Sequence, residues 1–400
     1  MKILWISKSA SFVGGAERSI ADVAPLLAPR GGRNFLLYDA NAQVDPEFVS
    51  LFEGAFPLVD VERQIRDIRP DILYVHQLSG KRVTDALSDT GVPIVRFFHD
   101  HAPFCLHVHK YTTFGKHTCV RTLGAYCIFP CLGFINKTSG FPPVRIHTLS
   151  SAWAELESLK RFNAFAVGSV YMKDHVVAHG FSPASVRVLP MFSPAWEKFD
   201  KSFDKDADAG NTSQVRQKNT LLFVGALLRG KGLDTLLEAM SRLPSEIRLK
   251  VAGGGAQEGM FREQVTKLGL GDRVEFLGKI KRIDLENHYR TATCVVVPSR
   301  DPETFGLVGL EALRHATPVV ASRVGGTGEW LLEGVTGYGF TSGDSEALAA
   351  AIAKVIGDPV ASATLGEAGR NLAMTRFTAE KHADALWNLL ESTIRTGRSS

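Results

Sequence analysis

An α/β fold of two doubly wound, parallel-sheet domains is what this sequence predicts, and three observations carry it. At 400 residues the chain is long enough to bury two cores. Its first half alternates short apolar strands with amphipathic helical stretches, the pattern of a parallel sheet covered by helices. The same rhythm restarts at Thr220, after a polar stretch with almost no apolar pattern.

The elements follow in order. Ile3–Ser7 reads as a first strand. Gly14-Gly15 then opens a helix whose apolar face is Ile20, Val23, Leu26 and Leu27, and Pro29 with Gly31-Gly32 ends it. Asn34–Ala40, Asp71–His76 and Pro93–His99 read as three further strands. Ligands of doubly wound sheets gather at the carboxyl ends of the strands, and Gly14-Gly15, His76 and His99 fall there. From Ala102 to about Ser150 the rhythm breaks into an aromatic, Cys- and His-rich insertion. Parallel order resumes with Asn163–Ser169, a helix near Tyr171–His179 and the strand Val186–Pro190.

Asp200–Asn219, rich in Lys, Asp, Ser and Gly, reads as a loop near the interdomain linker. Second-domain strands are expected at Thr220–Gly225, Ile247–Ala252, Val274–Leu277, Cys294–Pro298 and Pro318–Ser322. The expected division is 1–195, 196–377 and a final segment 378–400, whose helix Thr378–Arg395 presents Leu386, Trp387, Leu389 and Leu390.

Composition bounds the functional classes. A hydrophobic fraction of 44% and a charged fraction of 22% are ordinary for a globular protein. No run reaches the ~18–20 apolar residues needed to span a bilayer, and Met1–Ser7 is too short for a signal peptide. A cytoplasmic protein without structural disulfides is therefore expected, and no nucleic-acid partner. The net charge of +4 is uneven: between Arg96 and Ser150 six basic residues face a single acid, Asp100. The same stretch holds six of the 12 histidines and four of the five cysteines.

The run Pro298-Ser299-Arg300-Asp301-Pro302-Glu303-Thr304-Phe305-Gly306-Leu307-Val308-Gly309-Leu310-Glu311 is the most informative part of the chain. A strand runs into a loop, and the loop into a helix beginning near Phe305. A helix N-terminus offers unpaired N–H groups and a positive dipole end, which suit an anion. One carboxylate sits in the loop above it and the other about two turns further on. A ligand with phosphates and several hydroxyls, such as a nucleotide sugar, matches that chemistry. A helix-start acid followed by a solvated helical acid is the plainer account.

The segment Val297–Glu329 resembles the glutamate-x7-glutamate motif of retaining glycosyltransferases of family four, with Gly325-Gly326 and Glu329 downstream. The resemblance is strongest over Leu221–Gly339 and weaker over Met1–Pro190. It implies the GT-B architecture, two Rossmann-like domains around an interdomain cleft, with the last helix returning to the first domain. It also implies that Glu303 bonds donor-sugar hydroxyls, that Glu311 bonds the ribose, and that the N–H groups of Phe305, Gly306 and Leu307 hold the diphosphate near Gly325 and Gly326. Transfer with retention would proceed by front-face attack, the leaving phosphate helping to take the acceptor proton.

Gly225-Ala226-Leu227-Leu228-Arg229-Gly230-Lys231-Gly232 follows a strand and opens a helix, and such a turn can approach a diphosphate closely. Lys231 matches the family's diphosphate lysine. The family's usual arginine after the first glycine is here Ala226, and Arg229 is the candidate second cation. Gly253-Gly254-Gly255 ends another strand, and the resemblance places Gly254 beside the nucleotide. No D-x-D motif is evident, so neither a metal ion nor a cofactor is expected, only the nucleotide-sugar co-substrate.

In the first domain, His99 matches the family's histidine that contacts the donor sugar, and Gly14, Gly15 and Arg18 match its acceptor-side loop. A strand-end histidine capped by Asp100 is the alternative for His99. Cys105, Cys119, Cys127 and Cys131 carry four sulfurs that could hold zinc, although no paired C-x2-C pattern supports it. Ile128, Phe129, Leu132, Phe134, Ile135 and Phe141 with Lys137 and Arg145 suit a lipid-linked acceptor, the inner membrane face, or a lid packed on the core. The competing readings are a nucleotide-sugar epimerase and a degenerate donor-binding module. A dehydrogenase is disfavoured because no G-x-G-x-x-G fingerprint follows the first strand.

Overall fold

The computed structural model describes every residue except 78–79, 113–116, 138–143, 147, 193–216, 218 and 398–400. The polar stretch 200–219 therefore lies outside the described residues apart from Gln217 and Asn219, as do Lys116, Phe141 and His147. The chain divides into two compact units. One comprises Met1–His109, Val120–Pro190 and Ala379–Ser400, the other Lys110–Cys119 and Met191–Thr378.

The first unit is built on seven parallel strands: β1 Lys2–Ser7, β2 Arg33–Asp39, β3 Gly54–Leu58, β4 Ile72–Val75, β5 Ile94–Phe98, β8 Ala164–Val167 and β9 Val186–Val188. A short antiparallel hairpin, β6 Ile135–Lys137 with β7 Val144–Ile146, falls within the insertion. Every residue of β4, β5 and β8 is buried, which explains why β4 and β8 read as unbroken apolar runs and β5 as one broken only by Arg96. The sheet order β3-β2-β1-β4-β5-β8-β9 reverses between β1 and β4, so the carboxyl ends there form the topological switch point. Helix α1, Gly15–Leu27, buries Ile20, Val23 and Leu27 against the sheet. Leu26 of its expected apolar face is only partly buried.

The C-terminal helix Ala379–Gly397 belongs to this first unit, although it follows the whole of the second in sequence. Its stripe Leu386, Leu389 and Leu390 is buried, an ion pair joins Arg30 to Asp384, and His382 Nδ1 lies 2.8 Å from the Pro190 carbonyl. One strand of this parallel sheet was not foreseen. β3 holds Pro57 and lies at the sheet edge, where a missing N–H costs no interior ladder bond.

The second unit carries six parallel strands: β10 Thr220–Val224, β11 Arg248–Ala252, β12 Val274–Gly278, β13 Cys294–Val297, β14 Val319–Ser322 and β15 Gly337–Phe340, in the order β12-β11-β10-β13-β14-β15. Leu221 registers with both Leu249 and Cys294, and Phe223, Leu236, Val251, Phe261, Val296 and Ile352 share one core. β15 was also unforeseen. Its Gly-Tyr-Gly-Phe sequence carries no strand propensity at Gly337, yet a Cβ there would lie 1.9 Å from the Val319 carbonyl oxygen. Only a glycine lets this strand sit where it does.

Among the described residues no single helix is long and apolar enough to cross a membrane. One bent pair, Ser345–Gly357 with Pro359–Gly397, meets the length and composition, but Leu348, Ile352 and Val355 are buried in the second unit's core.

Candidate active site

In the second unit the direction of strand order reverses between β10 and β13, and their carboxyl ends carry the two loops of interest. Residues Arg229–Lys231 form a single 3-10 turn after β10. Gly232 ends that turn at φ +72° and begins the helix Leu233–Met240. A Cβ on Gly232 would meet the Pro298 carbonyl oxygen at 1.8 Å, so glycine is what allows this turn to press on the end of β13.

That closeness places Lys231 beside the loop after β13. Its Nζ donates to Glu303 Oε1 at 2.7 Å, and the Ser299 hydroxyl donates to the same oxygen at 2.5 Å. Burial works against the Lys231 charge, but the charge and hydrogen bond of Glu303, with Asp301 beyond, outweigh it and hold the ammonium above its ordinary pKa. The pair borders a cavity of about 140 Å3 that Phe223, Gly225, Pro298, Gly306 and Leu307 help to line. The helix Leu307–Arg314 starts at Gly306, which adopts a left-handed conformation and leaves the N-terminus without a side-chain cap. Amide groups and the positive dipole end thus border the cavity beside a lysine, which together suit an anion.

Gly325 and Gly326 pack against the backbone of Glu303, which lines the cavity. Gly326 N donates to the Glu303 carbonyl at 2.6 Å, and a Cβ on Gly325 (φ +60°) would lie 2.2 Å from that oxygen. They set the loop that carries the carboxylate. Glu311 lies just over one turn into the helix, where Tyr289 Oη donates to its Oε2 at 2.7 Å and Arg282 approaches Oε1 at 3.9 Å. Gly254 accepts from Leu227 N through its carbonyl at 3.1 Å, tying the β11 turn to the β10 turn. Arg229 goes elsewhere: its Nε reaches Met260 Sδ at 3.1 Å and it lines a separate groove with Asp234, Glu238 and Glu263.

Sequence reasoning passed over several residues that build this site. Arg300 is buried, donates through Nη1 to both oxygens of Asp234 at 2.6 and 2.8 Å, and reaches Thr235 Oγ1 through Nη2 at 2.7 Å. Trp330 is fully buried and its Nε1 donates to the Phe305 carbonyl at 2.7 Å, bracing the start of the helix. Asp301 packs against Gly230 with its Oδ1 buried and without a hydrogen-bond partner. Burial, with Glu303 adding, pushes its carboxyl up to about 7 against the opposing pull of Lys231 and Arg300. The adjacency of Arg300 and Asp301 to Glu303 was the only sequence signal available. The insertion segment Lys110–Cys119 joins this unit as well, with Thr118 Oγ1 donating to the Arg300 carbonyl at 2.8 Å. Nothing in its composition announced that.

The remaining candidates lie in the first unit. His99 follows β5 and His76 follows β4, with His76 Nδ1 and His99 Nε2 2.6 Å apart. Gly14 is the N-cap of α1, Gly15 its first residue, and Arg18 an exposed side chain of its first turn. Cys105, Cys127 and Cys131 are in the first unit and Cys119 in the second. Among the described residues no group of three or more His, Cys, Asp or Glu side chains is placed to hold a metal ion.

Residues 204–372 match the family model described as Glycosyl transferases group 1. The chain is 34% identical over 183 residues to the lipopolysaccharide core biosynthesis mannosyltransferase LpcC of Rhizobium leguminosarum bv. viciae, covering 44% of this chain and 51% of that protein. It is 35% identical over 276 residues to D-inositol 3-phosphate glycosyltransferase 1 of Catenulispora acidiphila, covering 64% and 62%. The chain thus spans about half the length of the curated relatives it matches. Among solved structures, the Anabaena protein HepE in complex with UDP superposes with a TM-score of 0.70 at 20% identity, over 98% of this chain and all of that one. Sucrose-phosphate synthase from Thermosynechococcus elongatus gives 0.68 at 21% identity, over 99% and 100%. These likenesses show the fold to be that of the GT-B glycosyltransferases.

Proposed function

We propose, from the match of residues 204–372 to the family model described as Glycosyl transferases group 1, that this chain moves a sugar from a nucleotide-diphosphate sugar to a glycan or lipid-linked acceptor with retention of configuration. The observation that carries the reading is the Lys231–Glu303 pair bordering a cavity at an uncapped helix N-terminus. Breaking the bond from the sugar carbon to phosphate creates an oxocarbenium-like sugar and a dianionic leaving group. Lys231 and the amides of Phe305, Gly306 and Leu307 neutralise that dianion, and Glu303 is set to accept from sugar hydroxyls. Each preorganised donor of this kind is worth about 3–4 kcal/mol of barrier. Glu311, held in place by Tyr289, takes the ribose hydroxyls, and Gly14, Gly15 and Arg18 serve the acceptor. Binding requires neither a metal ion nor a further cofactor, because the cation and the helix supply the positive charge.

Two similarities support the donor class: HepE was solved with UDP and with UDP-glucose, and the curated relatives are named as glycosyltransferases. The relative named for lipopolysaccharide core biosynthesis supports an acceptor in cell-surface glycan assembly. The exposed Ile128 and Phe129 of the insertion favour work at the inner face of the cytoplasmic membrane. The test is thermal shift of the purified chain with UDP, GDP, ADP and NADH at matched concentrations. A ligand at 100 times its dissociation constant stabilises the folded state by about 2.7 kcal/mol. A shift with one nucleoside diphosphate is expected. No shift with any diphosphate, or a shift with NADH alone, would overturn the reading.

A further inference from the structure

We infer that His76 is a positioning residue for His99: from behind the sheet end it fixes the tautomer and the ring orientation in which His99 meets a ligand. The functional consequence rests on reading His99 as a donor-sugar contact, whereas the tautomer itself does not.

His76 and His99 are the first residues beyond two neighbouring parallel strands, paired through Leu73↔Ile94 and Val75↔Arg96. The register therefore brings the two imidazoles side by side, with His76 Nδ1 2.6 Å from His99 Nε2 and ring centroids 4.9 Å apart. Such a pair of nitrogens shares one proton, so one ring donates and the other accepts. His76 is only 3% exposed. Its ring stacks on Trp5 at 5.2 Å and meets the edge of Tyr74 at 4.3 Å. Its other nitrogen, Nε2, is buried without a hydrogen-bond partner.

That buried nitrogen decides the direction. A buried N–H without an acceptor is rarer in proteins than an acceptor left unsatisfied. The proton of His76 therefore sits on Nδ1 and is donated to His99 Nε2. Both rings are neutral: burial lowers His76 well below its ordinary value and His99 to about 3, with Arg96 and His382 adding to each. Tyr74, Arg96 and His382 are the titratable groups packed around the pair from β4, β5 and the C-terminal helix, and Asp100 follows His99 in the chain. A neutral His99 that accepts at Nε2 must carry its own proton on Nδ1. It therefore serves as an N–H donor at neutral pH and not as a proton-transfer group.

The experiment is 15N NMR of the full chain labelled at histidine, with the His99 signals assigned by their absence in His99→Asn. The expected wild-type pattern is a protonated Nδ1 and an unprotonated Nε2 on His99, unchanged from pH 8 to pH 5.5. His76→Leu removes the donor and is expected to abolish this fixed pattern, giving exchange between tautomers. His76→Asn, which keeps a short amide donor, is expected to restore the wild-type pattern. A protonated Nε2 on wild-type His99, or a pattern unmoved by His76→Leu, would overturn the inference. Should His76→Leu fail to fold, the wild-type spectrum alone decides. Full transfer activity in His99→Ala would remove the donor-contact reading and leave the tautomer assignment standing.

Discussion

Lys231 is the residue on which most of the donor chemistry converges. Its ammonium is paired with Glu303 at 2.7 Å, and a bound diphosphate would compete for it. Lys231→Ala is expected to lower turnover by about 10²–10³-fold, the loss typical of one preorganised donor. Its melting temperature should stay close to wild type, because the lysine side chain is 32% exposed. Unchanged turnover at saturating donor would exclude the assigned role. Asp301 makes a second prediction with a definite sign. Its folded pKa of about 7 exceeds the unfolded value, so between pH 4 and 7 the folded state binds more protons. Stability is therefore lost as pH rises through that window, by an amount on the order of a few kcal/mol. Urea midpoints at pH 5 and pH 8 should show it as a change in the difference between wild type and Asp301→Asn, the wild type being relatively more stable at pH 5. Glu303, Glu311 and Lys231 were legible in the sequence because their spacing and neighbours form a pattern. Ser299, Arg300 and Asp301 were not, because their importance comes from which atoms they touch, and His76 was legible as a strand-end residue but not as the partner of His99.

At the scale of elements, the site exists because two turns at neighbouring strand ends approach to van der Waals distance. Gly232 sets that approach, and Gly232→Ala would force its Cβ into the Pro298 carbonyl. The expected result is a loss of roughly 2 kcal/mol or more in stability and at least tenfold weaker diphosphate binding, as the Lys231 turn is displaced. Denaturant titration with UDP, or the diphosphate that scores in the thermal screen, checks both. A variant with unaltered affinity would show that the turn does not position Lys231. Strands such as Cys294–Val297, with its four buried apolar residues, announce themselves by composition. The edge strands Gly54–Leu58 and Gly337–Phe340 do not, since Pro and Gly there are tolerated by position and their pairing is long-range. Arg229 illustrates the same limit. Counting along the turn suggested a second cation for the diphosphate, whereas the single 3-10 turn Arg229–Lys231 separates the two side chains and sends Arg229 to Met260.

For the molecule as a whole, buried neutral histidines govern the response to acid. Burial holds His99 and His315 at about 3 and His382 at about 4, and nearby arginines add to the first two. These values lie below the unfolded value near 6.5, so the unfolded chain takes up protons first as pH falls. The stability they contribute is present above pH 6.5 and is lost progressively down to about pH 3. Thermal melts from pH 7 to pH 4 should fall, and His315→Gln should flatten part of that slope. An unchanged slope would mean that this histidine is not buried in neutral form. The sequence by itself determined the two α/β units, most of their strands, and the glutamate-bearing loop and helix, because burial on both faces and the chemistry of a helix start leave local traces. Only the tertiary structure decided that Lys110–Cys119 belongs with the second unit, that Gly325 and Gly326 pack against the Glu303 backbone, and that His76 stands against His99. Each of those facts is a contact between residues far apart in the chain, and local propensity carries no information about which distant partner a surface will meet.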